Sequence, residues 1–343
     1  MDIKKKRTAL LLINLGTPDA PTIGAVSRYL IEFLNDKYVI DIPWFLRKLL
    51  VNLVIIPSRV RNSTKLYKML WTPEGSPLTV YSEQLRKKLQ ESYDDRIEVF
   101  TAMRYQNPSI ESALNKINKT GFDSLIVLPL YPQFTFSTTT STIEKVERVI
   151  KEWKIKPTVH YIKQFYNHSG YIEAFTKRIK SYNPDLYDFI LFSYHGLPNS
   201  HIAKAHSNGE ECDCTYEENL PEHGRFCYRA ACYHTTQLLA TRLHLNKEQY
   251  TISFQSRLSK DWLKPFSDKT LIDLARRGHK RVLVVAPAFV ADCLETIIEI
   301  GVEYKDLFIA NGGQTLTLVE SLNADDQWVE GVKEIISEFI DKP

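Results

Sequence analysis

Two short segments, about a hundred residues apart, carry the side chains best suited to chemistry. One is Asp188-Phe189-Ile190-Leu191-Phe192-Ser193-Tyr194-His195-Gly196-Leu197-Pro198. The other runs from Arg281 through Ala286 to Asp292, Cys293 and Glu295. Each is an apolar run that stops at a group able to bind a metal or carry a proton. Imidazole titrates near neutrality, and a neutral imidazole together with a carboxylate can hold a divalent cation or accept protons. Apolar, β-rich runs of this length read as buried strands of a parallel sheet. Ligands of open α/β sheets collect beyond the carboxyl ends of such strands, which is where His195 and Glu295 fall. Gly196 permits a tight turn and close approach of a ligand. A lone histidine at a strand end is more often a structural hydrogen-bonder than a catalytic group. Glu295, Glu299 and Glu303 are spaced four apart and share one face of a helix, with Asp292 three residues before them. A solvated acidic face would read the same way, but this row starts at an expected strand end. Carboxylates suit a partly hydrated divalent ion and could pass it inwards.

A second constellation is a run of thiols. Cys212, Cys214, Cys227 and Cys232 lie in a polar stretch from His206 to Phe226 and just beyond it, with Asn208, Gly209, Pro221 and Gly224 marking a loop. Clustered thiols in a cytosolic enzyme argue for a metal site over disulfides, and both zinc and an iron–sulfur cluster accept four thiolates. An empty set of thiols is the third reading. His206, His223 and His234 are neighbouring substitutes as ligands, although surface histidines are the default. Cys293 lies far from this group.

The elements that must position these groups alternate. Expected strands are Ala9–Leu15, Ile97–Met103, Ser124–Leu130 and Val159–Ile162, then Phe189–Ser193, Tyr250–Gln255, Arg281–Ala286 and Leu316–Val319. Helical patterns separate them, among them Val80–Gln90, Ser109–Lys119, Thr140–Trp153, Gly170–Ser181, Ala230–Leu243, Thr270–Arg277 and Cys293–Glu303. Such alternation predicts an α/β fold of doubly wound parallel sheets. The 343 residues suit two domains, residues 1–165 and 166–320 with the boundary near Gln164–Gly170. A final helix over 321–343 (Asp325–Ile340) is expected to pack back on the first domain. No residue-level repeat relates the halves. No Gly-x-Gly-x-x-Gly follows the first strand, so no nucleotide cofactor is expected and a nucleotide-dependent oxidoreductase is disfavoured.

Charged residues make up 25% and hydrophobic ones 43%, as in an ordinary globular protein, and a formal charge of +3 is too small to suggest a nucleic-acid partner. Lys4-Lys5-Lys6-Arg7 ahead of Ala9–Leu15 raises the question of a signal peptide; the Gly16-Thr17-Pro18 turn and the lack of a small-residue cleavage site favour a buried first strand. No stretch approaches the roughly 20 apolar residues of a membrane span, so a cytoplasmic protein is expected. One segment departs from the rhythm. Tyr38–Val60 is almost continuously apolar and reads either as two buried helices or as an apolar lip over a cleft, facing a flat greasy ligand or a membrane surface. Arg59 and Arg61 follow, and guanidinium pairs well with carboxylate.

The chain also resembles the ferrochelatases. The resemblance rests on Leu12 to Pro18, Gly75-Ser76-Pro77-Leu78, Met103-Arg104-Tyr105 and Leu130-Tyr131-Pro132-Gln133-Phe134 through Ser137-Thr138-Thr139. It continues through His195-Gly196, Phe254-Gln255-Ser256-Arg257 with Trp262-Leu263, and Asp292 to Glu295. These fall in family order over roughly residues 8 to 310. The resemblance implies two Rossmann-like, chelatase-type domains, each a parallel sheet flanked by helices, with a cleft between them. It implies insertion of Fe(II), the metal substrate, into a porphyrin, protoporphyrin IX being the expected substrate and haem the product. His195 and Glu295 then act as catalytic groups and metal ligands, with Asp292, Glu299 and Glu303 in the metal set on a helix widened in the π manner. Leu15, Arg59, Arg61, Arg104, Tyr105, Tyr131, Ser137 and Trp262 become porphyrin-binding positions, and the segment at about 36–61 becomes the lip, with contact to the inner face of the membrane. Some members carry a [2Fe–2S] cluster on internal cysteines, which points to Cys212, Cys214, Cys227 and Cys232. Cys293 departs from many relatives, which have a second histidine there. Alternatives are a cobalt chelatase acting on a corrin precursor and a non-catalytic haem- or cluster-binding sensor. Oligomeric state is not legible.

Overall fold

The computed structural model describes residues 6–206, 214 and 224–340. Among the described residues, eight strands form two four-stranded parallel sheets: β1 (Thr8–Gly16), β2 (Ile97–Tyr105), β3 (Ser124–Pro129) and β4 (Thr158–Tyr161), then β5 (Phe189–His195), β6 (Tyr250–Gln255), β7 (Arg281–Val285) and β8 (Thr315–Leu318). The strand orders are β2-β1-β3-β4 and β6-β5-β7-β8. The alternating α/β sequence thus folds as two helix-flanked parallel sheets. The chain divides into two compact units: residues 1–131, 136–164 and 324–343, and residues 132–135 and 165–323.

In the first unit, β1 is central and pairs with both β2 and β3. Both its faces are covered, which is why Ala9 to Ile13 form an unbroken apolar run at 0–1% exposure. Each large side chain buried this way contributes on the order of 1.5–3 kcal/mol. Ala9, Leu11 and Ile13 point to one face and pack with Ile110, Leu114 and Ile117 of the helix Ile110–Thr120 and Val146 and Ile150 of the helix Ser141–Lys151. The helix Asp326–Ile340 belongs to this unit, where Lys88 Nζ reaches Asp326 Oδ1 at 2.6 Å and Phe339 meets the His160 ring at 5.7 Å.

The segment after the helix Ile23–Leu34 overturns one expectation. Trp44–Leu49 is α-helical, Leu50–Ile55 is π-helical and Ile56–Leu70 is α-helical. Its apolar side chains are not those of two buried helices. Trp44, Phe45, Leu53 and Val54 are 57–68% exposed, and Leu46, Leu49 and Leu50 are also exposed, while Val51 and Ile56 are buried. Arg47 is buried instead, its Nη1 donating to the Ile40 and Ile42 carbonyls at 3.2 and 3.0 Å. Among the described residues no helix is long and apolar enough to cross a membrane.

In the second unit, β5 pairs with β6 on one side and β7 on the other. The chain therefore leaves β5 in opposite directions, and the carboxyl ends of β5 and β7 flank the point where strand order reverses. The core beneath joins Leu191, Val282, Val284 and Ala286 to Leu271, Leu274, Ile300 and Phe308.

Candidate active site

His195 is the last residue of β5. Its Nδ1 lies 2.6 Å from the Gly196 carbonyl oxygen. A carbonyl can only accept, so Nδ1 is the donor here, and of the two neutral tautomers this contact selects the one whose Nε2 carries the lone pair. Two aromatic rings flank the imidazole, Trp262 and Phe289, each with its centroid 6.4 Å away. The Tyr228 hydroxyl donates to the His195 carbonyl at 2.8 Å. Gly196 is demanded by packing: a Cβ there would stand 2.7 Å from the Gln255 carbonyl oxygen and 3.2 Å from the Trp262 ring.

Glu295 begins a π-helical stretch, Glu295–Tyr304, after β7. The row runs outward: Glu295 and Glu299 are half-buried and Glu303 is exposed. Glu299 is held on several sides. The Ser256 N–H donates to its Oε1 at 2.8 Å, the Ser256 hydroxyl to Oε2 at 2.5 Å and the Tyr304 hydroxyl to Oε1 at 2.8 Å. Gln255 Nε2 bridges the Glu295 carbonyl and Glu299 Oε2 at 3.2 and 3.4 Å. Burial pushes the Glu299 carboxyl above the usual range, against the Ser256 and Tyr304 hydrogen bonds and the nearby His195; Glu295 pushes it further up. The charges of His195 and Glu295 thus both reach Glu299 within one unit. Burial, with Glu295 beside it, also pushes the Cys293 thiol well up, so Cys293 is a neutral packing group.

The site couples an imidazole with a free lone pair to a row of carboxylates graded from half-buried to exposed. That combination can take up protons and pass a hard divalent cation. The sequence profile of the ferrochelatase family matches residues 7–340. The chain belongs to the ferrochelatase family. It is 44% identical over 333 residues to the ferrochelatase of Coxiella burnetii (strain Dugway 5J108-111), covering 95% of this chain and 92% of that one. It is 41% identical over 338 residues to the ferrochelatase of Legionella pneumophila (strain Paris), covering 97% and 100%. A solved structure of SirB from Bacillus subtilis with Fe3+ shares the fold, with a TM-score of 0.56 at 10% identity over 98% of this chain and 96% of that one. As a ferrochelatase-family enzyme, the chain catalyses the family's reaction, in which Fe(II) enters a porphyrin to give haem and two protons leave.

Several expected site residues are occupied elsewhere. Asp292 is 4% exposed, and its Oδ1 accepts from the Thr296 hydroxyl and the Ser321 N–H at 2.9 and 3.2 Å while Oδ2 accepts from Asn323 Nδ2 at 2.8 Å. These bonds tie the turn before Glu295 to Ser321 and Asn323. Arg104, expected on a propionate, instead donates through Nη2 to Asp36 Oδ2 at 2.5 Å and through Nε to Ser141 Oγ at 2.7 Å. Tyr105 is 1% exposed and donates to the same Asp36 oxygen at 2.9 Å. Leu15, Tyr131 and Ser137 are half-buried in the first unit, and Arg59 and Arg61 are exposed there without an ion-pair partner among the described residues. Trp262 lies in the second unit against His195.

Tyr228, Phe289, Ser256 and Tyr304 were not singled out individually from sequence. Tyr304 had a usable signal, since it lies five residues after Glu299 and a π turn joins positions five apart. Tyr228 had none.

Of the expected thiol group, Cys214, Cys227 and Cys232 are among the described residues and all three are buried. One nitrogen of His206 and the sulfurs of Cys214 and Cys227 all lie within 4.8 Å of one another. Cys232 is fully buried in the helix Tyr228–Arg242 and outside that group, and Cys212 and His223 lie outside the described residues. The His234 ring sits against Tyr166 at 5.8 Å, apart from the three donors. The Cys227 thiol is lowered to about 6, chiefly by its hydrogen bond with Cys214, with the Ala230 N–H and His206 adding. Among the described residues, the donors that lie close together here are two thiols and an imidazole.

Proposed function

We propose that this enzyme metalates protoporphyrin IX, with His195 Nε2 accepting a pyrrole proton and the row Glu295, Glu299 and Glu303 handling Fe(II) and the released protons. Metalation requires a base on one face of the ring, a partly desolvated metal and a nitrogen lone pair turned towards that metal. The observation that carries the reading is the His195 ring at the tip of β5, oriented by the Gly196 carbonyl so that Nε2 keeps its lone pair, with Glu299 close enough to feel its charge. Glu303 is the solvent end of the row, where a hydrated cation can arrive; Glu299 and Glu295 lie inward of it. Trp262 and Phe289 supply flat apolar surface beside the base. Asp292 keeps a positioning role, holding the turn that aims Glu295.

Exposed Arg59 and Arg61 suit propionate carboxylates, and the exposed apolar face at Trp44, Phe45, Leu53 and Val54 suits a ring with few charges. This favours a greasy dicarboxylate porphyrin over the polyacidic corrin precursors. The same face suits peripheral contact with the inner surface of the membrane, which co-sedimentation with anionic vesicles tests. The deciding experiment is an anaerobic assay of Fe(II) insertion with protoporphyrin IX, coproporphyrin and sirohydrochlorin in turn. Fastest turnover of protoporphyrin, abolished in His195→Ala, is the expected result; preference for sirohydrochlorin overturns the substrate assignment.

A further inference from the structure

Behind the row of glutamates lie four buried polar side chains that the chemistry at His195 does not use. Ser193 stands two residues before His195 on β5, and Ser253 stands two before Gln255 on β6; the two serines are partners in the strand register. Ser267 opens the helix Ser267–Arg276. The three serines are 0% exposed and Gln255 is 1% exposed. Hydroxyls buried so deeply cost free energy unless they are bonded, and each has one proton to give, so the donors can be counted. The Glu295 carbonyl oxygen only accepts, and Gln255 Nε2 faces it at 3.2 Å. The reverse amide orientation would set oxygen against oxygen there, so Oε1 must point the other way. Ser193 then gives its proton to Gln255 Oε1 at 2.8 Å. Its contact with Ser267 at 2.9 Å therefore needs Ser267 as the donor. The contact of Ser267 with Ser253 at 2.8 Å in turn needs Ser253 as the donor. One direction remains: Ser253 to Ser267 to Ser193 to Gln255, and from its Nε2 to the Glu295 carbonyl and, at 3.4 Å, Glu299 Oε2.

We propose that Gln255 is a positioning residue for the glutamate row, its amide locked in one orientation by this chain of hydroxyls. A chain polarised one way strengthens each bond in it, and burial keeps water from offering the amide other partners. The Glu295 backbone and the Glu299 side chain lie four residues apart on the π-helical stretch, so a single amide that grips both sets their spacing. The sheet thereby fixes the inner end of the row through a group that meets no substrate. The inference rests on the role proposed above for Glu295 and Glu299 in handling Fe(II).

The test compares the anaerobic kinetics of the full-length enzyme and its variants, with Fe(II) and protoporphyrin IX varied in turn. Ser193→Ala should lower kcat/KM for Fe(II) roughly 10–100-fold, as loss of a partner behind a metal-handling group does, and leave the KM for protoporphyrin within about twofold. Ser267→Ala, one link further from the amide, should lose less. Gln255→Glu keeps the size and the Ser193 bond but turns an oxygen on the Glu295 carbonyl, and should lose more than either. In a Glu299→Ala background the Ser193→Ala loss should shrink, because groups acting in one network are not additive. Should Ser193→Ala misfold by circular dichroism, Ser267→Ala carries the same comparison of Fe(II) with porphyrin. Equal losses for the two substrates, or wild-type turnover in Gln255→Glu, would overturn the positioning role. Full turnover in Glu299→Ala would remove the reading of the row beneath it; an impaired Glu299→Ala beside a wild-type Ser193→Ala would remove the chain alone.

Discussion

The two units build the same strand tip and put different chemistry on it. β1 ends in Leu15-Gly16 and β5 ends in His195, with Gly196 next, each strand holding the same inner place in its four-strand order. In both, the glycine backs onto a neighbouring carbonyl: a Cβ would stand 2.0 Å from the Tyr105 oxygen at Gly16 and 2.7 Å from the Gln255 oxygen at Gly196. In both, the residue after the neighbouring strand takes a left-handed backbone, Gln106 at φ 65° and Ser256 at φ 60°. Each of these donates its N–H to a glutamate, Glu32 at 3.0 Å and Glu299 at 2.8 Å. Each neighbouring strand is closed by a proline carbonyl, Met103 to Pro108 at 2.7 Å and Phe254 to Pro265 at 2.8 Å. The backbones differ at the glycine, which is at φ 108° in Gly16 and outside the left-handed region in Gly196, and the side chains differ more. Leu15 stands where the other unit has His195, and Glu32 is exposed where Glu299 is half-buried beside an imidazole and a second carboxylate. The backbone device presents a residue at a tip; under the proposed function, one side chain and how dry its glutamate is decide whether that tip is reactive.

Exchanging the tips' side chains for alanine should break the likeness most strongly. His195→Ala is expected to lower turnover by roughly 10²–10⁴, the contribution of a positioned proton acceptor, while circular dichroism and melting stay near wild type. Leu15→Ala should change turnover by less than about tenfold, since it removes surface and no proton acceptor. Full turnover in His195→Ala would end the assignment of the base; an equal loss in both variants would show that the tips matter only as packing.

The two glycines should separate stability from activity. Gly16 combines φ 108° with the 2.0 Å clash, whereas Gly196 has an ordinary φ and a 2.7 Å clash. Gly16→Ala is therefore expected to cost about 3 kcal/mol or more, overpacking added to backbone strain. Gly196→Ala should cost roughly 1–3 kcal/mol yet impair turnover more per unit of lost stability, because the carbonyl that orients His195 moves with it. Denaturant midpoints and turnover on both variants check this; a larger stability loss at Gly196 would reverse the ranking.

The strands were legible because parallel strands covered on both faces leave unbroken apolar runs. Tyr250–Gln255 matches end to end, and the expected Phe189–Ser193 falls two residues short of His195. His195 and Glu295 could be singled out for the same reason, since both follow such runs. What escaped depends on partners far along the chain. Arg104 is engaged by Asp36, 68 residues away, and Asp292 by Asn323, 31 residues away. Nothing in the apolar content of Tyr38–Val60 tells whether protein covers it, and its side chains turned out exposed. The widened helix at Glu295–Tyr304 was expected only by resemblance, because apolar periodicity does not separate α from π turns over so short a length.

The glutamates give the smallest contrast and the sharpest control. Both accept an N–H from a left-handed residue, so both glutamine variants keep a carbonyl oxygen for that bond. Burial raises the Glu299 carboxyl in the folded state above its unfolded value, so the folded chain binds more protons. The associated stability is fully present below the usual carboxylate range and is lost as pH rises through the raised value. Glu299→Gln removes this titration, so its denaturant midpoint should fall less than that of wild type between about pH 4 and pH 7. Turnover should drop roughly ten- to a hundredfold, as for a group supporting a metal site. Glu32→Gln, on an exposed helix, should leave turnover within about twofold. Parallel pH profiles for Glu299→Gln and wild type would mean that Glu299 is as well solvated as Glu32, and the distinction between a wet and a dry glutamate would then no longer account for why only one tip is reactive.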